Sequence, residues 1–324
     1  MNLIAVCRKA QTIGISGHIR PDGDCIGSTC ALWQFLKKVF PKKQIDVRLE
    51  KPADIYDFIP GVTDIVTDDR DMVYDVFFVI DSVPERIGRA EKYYQTAKTK
   101  VNIDHHITNP GCGDLCYIDA AASSASELVY DLIREADPEG KYMDEVLAKT
   151  IYLGIIQDCG VFQYSNTSPK TLRIAAELIA YGFDFPKLID ETFYEKTYVQ
   201  NRVLGFALCN SGRCLSDSFI YSIITGKDME ALHADDHDFE GVVNQLRYTK
   251  GVKVAALLHE TGEGTYKVSL RSGGAVDVSR VAAAFGGGGH VRAAGCTIGG
   301  SQEEMVEKLT AEIAKQLAAQ EEKV

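Results

Sequence analysis

Val101-Asn102-Ile103-Asp104-His105-His106 is a short apolar run that ends on a carboxylate and two imidazoles. The run reads as a buried strand. The triplet then stands at a strand's carboxyl end, where open α/β sheets place their ligands. Three other stretches have the same form. Thr12 to Ser16 is apolar and β-rich, and Gly17-His18-Ile19-Arg20-Pro21-Asp22-Gly23-Asp24 follows it. Val76-Phe77-Phe78-Val79-Ile80 ends on Asp81, and Ile151 to Gln157 ends on Asp158. One such ending is a weak signal; the set together predicts a metal site.

Strand and helix patterns alternate around these stretches. Cys25–Phe40 carries Ile26, Cys30, Trp33, Leu36 and Val39 at helical spacing and stops at Pro41, and Ile45–Leu49 alternates with period two. Tyr74–Ile80 is almost continuously apolar, as strands covered on both faces are. Pro84 opens a helical stretch to about Lys98, Lys100–Ile103 and Leu115–Ile118 read as strands, and Ser123 and Ser124 as caps of a helix to about Glu135. Met143–Gln157 is a further helix, or a helix running into a loop. From Pro169 to Leu208 the pattern is helical throughout. Beyond Asn210 the pattern predicts a strand at Ser218–Thr225 and a helix at Phe239–Tyr248. Val252–Glu260 and Thr265–Arg271 read as a hairpin turning at Thr261-Gly262-Glu263-Gly264. An Asp277-capped helix to Phe285, a strand at Cys296–Ile298 and a helix at Gln302–Ala319 complete the chain, with Glu321-Glu322-Lys323 frayed. The fold class is therefore α/β. A parallel-sheet domain with helices on both faces spans residues 1–185, a helical linker 186–209, and a smaller mixed-sheet α/β domain 210–324.

Composition bounds the function. A chain of 324 residues with 45% hydrophobic content buries a sizeable core and favours about two domains. A net charge of −11 argues against a protein that holds long nucleic acid on a broad basic surface. A short anionic substrate in a metal-containing cleft is compatible with it. No apolar stretch approaches the roughly 20 residues of a bilayer span. Met1 to Lys9 lacks a signal-peptide pattern, so the expectation is a cytoplasmic protein with no membrane partner. Nine cysteines, an odd number, read as reduced thiols. Cys112 and Cys116 lack a second pair at zinc-finger spacing.

The residue types suggest the chemistry. In Asp22-Gly23-Asp24 the glycine permits a sharp turn, and each carboxylate can face a different cation. His18, four residues earlier, can join one of them, and a helix starting near Cys25 would point its N-terminus into the same space. The competing reading is an Asp-rich turn that caps a helix. Asp81 is either a cap or, on a central strand, a bridge between two metals. Asp158 lies among apolar neighbours, where a buried carboxylate needs a partner. If Asp104-His105-His106 is extended, adjacent side chains point to opposite sides. One histidine then ligates, the other supports it or touches substrate, and Asp104 can hold an imidazole's second nitrogen. Mixed carboxylates and imidazoles suit Mn²⁺, Fe²⁺ or Co²⁺. Two such cations about 3.5–4 Å apart would activate a bridging water for in-line displacement at phosphorus. A second cluster is Gly286-Gly287-Gly288-Gly289-His290-Val291-Arg292, a glycine run read between two helices, whose N–H groups can cradle a phosphate. His290, Arg292 and Arg271-Ser272-Gly273-Gly274 add donors and guanidinium groups; the alternative is a hinge loop. His233-Ala234-Asp235-Asp236-His237-Asp238 mimics a metal cluster but reads as a solvated loop capping the helix at Phe239.

His18…Asp22-Gly23-Asp24, Asp81, Asp104-His105-His106 and Asp158 resemble the DHH phosphoesterase superfamily, in that family's order. Gly287-Gly288-Gly289-His290 with Ala293-Ala294-Gly295 is similar to its DHH-associated C-terminal domain, so the resemblance covers nearly the whole chain. In size the chain looks most like the bifunctional oligoribonuclease/PAP phosphatase (nanoRNase) group. RecJ-type relatives are longer, and family II pyrophosphatases lack the glycine motif. The resemblance implies two divalent cations, Mn²⁺ above all. The first would be held by His18, Asp22 and Asp81, and the second by Asp24, Asp81, His105 and Asp158. Asp81 would bridge them, and His106 would stand near the reacting phosphate with Asp104 behind it. Arg271, Gly288, Gly289 and His290 match the family's substrate grip, beside Ser272 and Arg292. The implied activity is hydrolysis of very short RNA to mononucleotides, as a 3′-5′ exonuclease, and removal of the 3′-phosphate from 3′-phosphoadenosine 5′-phosphate (pAp). A linear or cyclic dinucleotide phosphodiesterase and a nucleotide-binding regulatory module are the alternatives; a homodimer is one assembly the sequence leaves open. Cys25 and Cys159 depart from the small or hydroxyl residues usual at those positions.

Overall fold

The five residues of β3, Val76–Ile80, are all buried, and they divide between two cores. Val76, Phe78 and Ile80 face one apolar cluster, and Phe77 and Val79 face another with Tyr74, Ile87, Tyr93 and Tyr94. That is the period-two alternation of a strand covered on both sides. The computed structural model that shows this describes residues 1–262 and 264–321. The chain divides into two compact units between Glu195 and Lys196. Glu263 of the expected hairpin turn, and Glu322 and Lys323 of the expected frayed end, lie outside the described residues.

The first unit runs α1 (Leu3–Cys7), β1 (Thr12–Ser16), α2 (Gly23–Val39), β2 (Gln44–Val47), β3, α3 (Glu91–Thr96), β4 (Thr99–Asp104), β5 (Leu115–Ile118), α4 (Ala125–Ala136), α5 (Glu145–Asp158), α6 (Pro169–Ile179) and α7 (Phe185–Ile189). Its five-stranded sheet has the order β2-β1-β3-β4-β5, with every neighbouring pair parallel. The order reverses direction at β1, so the carboxyl ends of β1 and β3 flank a topological switch point, where α/β sheets bind ligands. Helix α2 crosses α5 at two glycines: a Cβ on Gly27 would come within 2.7 Å of the Gly154 Cα. Bare backbone allows this close approach, and it carries Asp24 and Asp158 toward one another. The stretch from Pro84 forms two 3₁₀ turns, Pro84–Arg86 and Gly88–Ala90, before the short α3, in place of one long helix. Gly88 at φ +58° breaks the helical path.

The second unit comprises α8 (Tyr198–Cys209), β6 (Gly212–Cys214), β7 (Phe219–Ile224), α9 (Gly226–Leu232), α10 (Val242–Arg247), β8 (Val254–Gly262), β9 (Thr265–Ser272), α11 (Val278–Ala283), β10 (Gly288–His290), β11 (Ala293–Gly299) and α12 (Gln302–Glu321). Its six strands follow the order β10-β11-β9-β8-β7-β6; β7 and β8 are parallel and the other pairs antiparallel. One face packs Val254, Ala256, Val268 and Leu270 against α11 and α12; the other packs Ile220, Ala255 and Leu257 against α8, α9 and α10. Residues 186–209, read as a linker, therefore split. Leu188 is buried in the first unit's core, and Val203 and Ala207 of α8 in the second's. The glycine run is not a loop between helices. Gly288–His290 forms the edge strand β10, paired antiparallel with β11. A Cβ on Gly287 would meet the Gly295 carbonyl at 2.2 Å, and Gly289 sits at φ +146° against Ala294. Close strand contact and backbone angle thus explain the glycines.

Candidate metal centre

The loop after β1 delivers His18 and Asp22. The His18 Nδ1 lies 2.8 Å from the Ile19 carbonyl, to which it can only donate. In the neutral ring that bond places the proton on Nδ1 and makes Nε2 the nitrogen able to ligate. Nε2 stands 3.6 Å from Asp22 and 3.5 Å from Asp81. Asp22 is the N-cap of α2: its Oδ1 accepts from the N–H groups of Asp24 and Cys25, at 3.1 and 3.0 Å. Both bonds fall on one oxygen, so capping and ligation are compatible in the same carboxylate. Burial pulls the His18 pKa down, but Asp22 and Asp81 outweigh it and push it up to about 10.

Asp81 follows β3 in a left-handed conformation, φ +57°. For a non-glycine residue this costs about 1–3 kcal/mol and persists only where the surroundings impose it. Its N–H donates to the Ile103 carbonyl at 2.9 Å, and its side chain is 4% exposed. The Oδ1 atom is buried without a hydrogen-bond partner. It lies 3.5 Å from His105 Nε2 and 3.6 Å from His106 Nδ1. An orphaned buried carboxylate oxygen carries an uncompensated desolvation cost, which a cation would offset.

The third group is Asp24, His105 and Asp158. Both Asp24 oxygens accept from the first turn of α4, from Ala125 N at 2.7 Å and Ser126 N at 2.9 Å. The helix N-terminus thereby favours its charge. Burial, with Asp81 and Asp158 nearby, still pushes its pKa well above the usual carboxylate range. His105 Nε2 lies 3.5 Å from Asp158 and 4.0 Å from Asp24. Burial, offset in part by His105 and reinforced by Asp81, pushes the Asp158 carboxyl up to about 6. Asn166 Nδ2 donates to the Asp158 carbonyl at 3.2 Å. Carboxylates converging in this way repel one another, and a divalent cation relieves the repulsion. Potential ligand atoms of His18, Asp22 and Asp81, and separately of Asp24, His105 and Asp158, lie within 4.8 Å of one another. This oxygen and imidazole donor set fits the hard to borderline divalent ions. Burial raises the neighbouring thiols, Cys25 well above its ordinary value and Cys159 to about 11, so both stay protonated.

Asp104 and His106 depart from the extended geometry expected for the triplet. β4 ends at Asp104, whose Oδ1 accepts from the N–H groups of His105 and His106. The backbone turns there, so strand alternation no longer applies, and the two imidazoles lie 4.7 Å apart, tilted by 54°. Asp104 Oδ1 also holds His106 Nδ1 at 2.7 Å, and the ring is 48% exposed. Asn109 was missed in the sequence. Its Nδ2 donates to Asp104 Oδ2 at 2.5 Å and to Asn102 Oδ1 at 3.0 Å, while Asn102 Nδ2 donates to the Val79 and Ser82 carbonyls. The available signal was Asn102 itself, an amide inside an apolar strand, which implies a buried polar network.

In the second unit, Ser272 N donates to the Arg292 carbonyl at 3.0 Å, and β10 pairs with β11, so Arg271, Ser272, Gly288, Gly289, His290 and Arg292 share one end of the sheet. Arg271 is half-buried, and burial lowers the pKa of its guanidinium. Ser272 is buried and accepts from Gly274 N and Val276 N, so its hydroxyl shapes the loop. Gly288, Gly289, His290 and Arg292 are exposed. His233 ends α9 in a left-handed conformation. Asp235 caps a 3₁₀ turn at Asp236–Phe239, and the helix expected from Phe239 begins at Val242. Neither His233 nor His237 belongs to a metal-competent group among the described residues.

Comparison with known proteins matches these features. The DHH family N-terminal domain matches residues 12–155, and the DHHA1 domain matches residues 217–319. A Bacillus subtilis protein named bifunctional oligoribonuclease and PAP phosphatase NrnA is 30% identical over 297 residues, covering 91% of this chain and 92% of its own. A Thermus thermophilus protein of the same name is 31% identical over 319 residues, covering 93% and 89%. The crystal structure of an exopolyphosphatase-related protein from Bacteroides fragilis superposes with a TM-score of 0.85 at 28% identity, over 97% of this chain and 95% of that one. The parallel sheet bearing the carboxylate–imidazole cluster and the glycine-edged mixed sheet are thus the two parts of one architecture, and the chain belongs to the DHH family.

Proposed function

We propose that the chain is a phosphoesterase working with two divalent cations, Mn²⁺ above all, that hydrolyses very short oligoribonucleotides and dephosphorylates pAp to AMP. The observation that carries this reading is Asp81: one strained, buried carboxylate at the switch point of the sheet, with Oδ2 3.5 Å from His18 of one ligand group and Oδ1 3.5 Å from His105 of the other. The substrate class is supported by the names of the relatives aligned over nine-tenths of the chain. His18, Asp22 and Asp81 would hold one cation, and Asp24, Asp81, His105 and Asp158 the other. Bound there, such a pair supplies an activated water and neutralises charge developing at phosphorus.

The chain's own groups do the rest. Asp104 anchors His106 through Nδ1, so the opposite, exposed edge of the ring is turned to substrate. Asp104 favours the imidazolium form of the ring, in which the Nε2 proton can be donated to a phosphate oxygen and passed to the departing ribose oxygen, leaving the neutral Nδ1–H tautomer. The buried Asp81 Oδ1, held without a hydrogen-bond partner of its own, is in place to receive a cation without rearrangement. In the second unit, Arg271, Arg292, His290 and the N–H groups of Gly288 and Gly289 offer donors suited to a terminal phosphate. All nine cysteines are free thiols, which supports a reducing, cytoplasmic setting. No helix among the described residues is long and apolar enough to cross a membrane.

A substrate panel tests the reading: pApA, pGpG, pAp and cyclic di-AMP, compared by kcat/KM with Mn²⁺ and with excess chelator. The expected result is turnover of pApA and pAp that chelation abolishes. Metal-independent turnover, or none of either substrate, contradicts it.

A further inference from the structure

Single exposed apolar residues are ordinary on protein surfaces, but their placement in the first unit is not scattered. Ile19, directly after His18, is 41% exposed; Ile107, directly after His106, is 88% exposed; Tyr164, six residues after Asp158, is 49% exposed. Each of these loops brings an imidazole or carboxylate to the centre and carries a large, partly or largely exposed side chain within six residues of it.

The loop that carries Tyr164 is strained. Gly160, Val161 and Phe162 have φ of +58°, +51° and +67°, and Val161 is β-branched, for which this region is an outlier. The strain closes one left-handed turn: Gln163 N donates to the Gly160 carbonyl at 3.1 Å, and Tyr164 N to the Cys159 carbonyl at 3.0 Å. Phe162 is turned toward Tyr152, with ring centroids 6.1 Å apart. The Tyr164 ring lies flat enough on Gly160 that a Cβ there would approach it to 2.5 Å. Asn166 ties the end of the turn back to the Asp158 carbonyl. An ordinary surface loop has no need of such a conformation, which costs free energy that must serve some purpose. Here it lays an aromatic ring on Gly160, in the turn that directly follows Asp158.

We propose that Tyr164 and Ile107 form a nucleobase-receiving rim on the metal centre, so that the site selects phosphoesters bearing a planar base over inorganic phosphate chains. The proposal rests on the phosphoesterase reading and names its specificity. A base is the apolar, stackable part of a nucleotide, and aromatic stacking accepts any base.

The test compares kcat/KM for pApA with that for the same 5′-phosphorylated dinucleotide lacking both adenines. The wild-type protein is expected to prefer pApA. Tyr164→Leu and Ile107→Ser are each expected to reduce that preference by about tenfold, the scale of one lost base contact. Tyr164→Phe is expected to keep it, as is Leu172→Ser, which alters a half-exposed apolar residue on α6. Ile107 is so exposed that its replacement leaves folding intact. A preference unchanged in both variants, or an equal fall for both substrates, overturns the rim. Equal wild-type rates on the two substrates overturn the rim alone, whereas no turnover of either overturns the phosphoesterase reading as well.

Discussion

At the scale of single residues, Asp81 and Asn109 do different work. Asp81 presents charge, while Asn109 fixes another group's orientation. Asn109 Nδ2 has acceptors at Asp104 Oδ2 and Asn102 Oδ1, and Asp104 in turn grips His106. Asn109→Ala removes the donor to Asp104 Oδ2 and leaves the carboxylate held through Oδ1 alone, which loosens its grip on the His106 ring. The expected outcome is a fall in kcat of roughly 10–100-fold, the usual effect of losing such a supporting hydrogen bond, with KM little changed. Steady-state kinetics on pApA check it, and an unaltered kcat would show that Asp104 is held by other means. The carboxylates and imidazoles were legible in the sequence because each ends an apolar run. The partner of His106 was not, since whether Asp104 turns toward its neighbour's ring depends on where β4 stops. For Asn109 the signal was indirect: Asn102, an amide inside an apolar strand, announces that a polar partner exists but not which residue supplies it.

At the scale of elements, the centre depends on how closely α2 and α5 approach. A Cβ on Gly154 would come within 1.9 Å of Ser126 Oγ and 2.9 Å of Asp24 Oδ1. Gly154→Ala therefore forces α5 away from both α2 and α4. It is expected to destabilise the protein by about 1–3 kcal/mol, as overpacking does, and to weaken metal binding by displacing Asp24 from Asp158. Chemical denaturation and metal titration read the two effects, and a variant as stable as wild type would contradict the packing account. Long elements such as α2 and β3 were legible because their periodicity is strong. Short ones were not. β6, with Gly212–Cys214, and β10, with Gly288–His290, are strands only because neighbours pair with them. α9 did carry a signal, the Thr225–Asp228 capping box, but it spans only Gly226–Leu232 and opens on glycine.

At the scale of the whole molecule, the alternation of strands and helices sufficed to predict a parallel sheet followed by a mixed one. Strand order was beyond it. That β1 and β3 are neighbours, with the order reversing at β1, is a long-range property of the sheet. It is what makes the loops after residues 16 and 80 converge. The same limit applied to residues 186–209, where helical periodicity was plain but the core each helix joins was not. The central claim is that Asp81 is shared by two divalent cations that the reaction requires. The measurement that tests it most directly is calorimetric titration of Mn²⁺ into wild-type and Asp81→Ala protein, with pApA turnover followed on the same samples. The account predicts two ions per wild-type chain, loss of at least one in the variant, and a fall in turnover of at least about a hundredfold. Near-wild-type turnover in Asp81→Ala, or a wild-type protein that binds fewer than two ions at saturating activity, would contradict it.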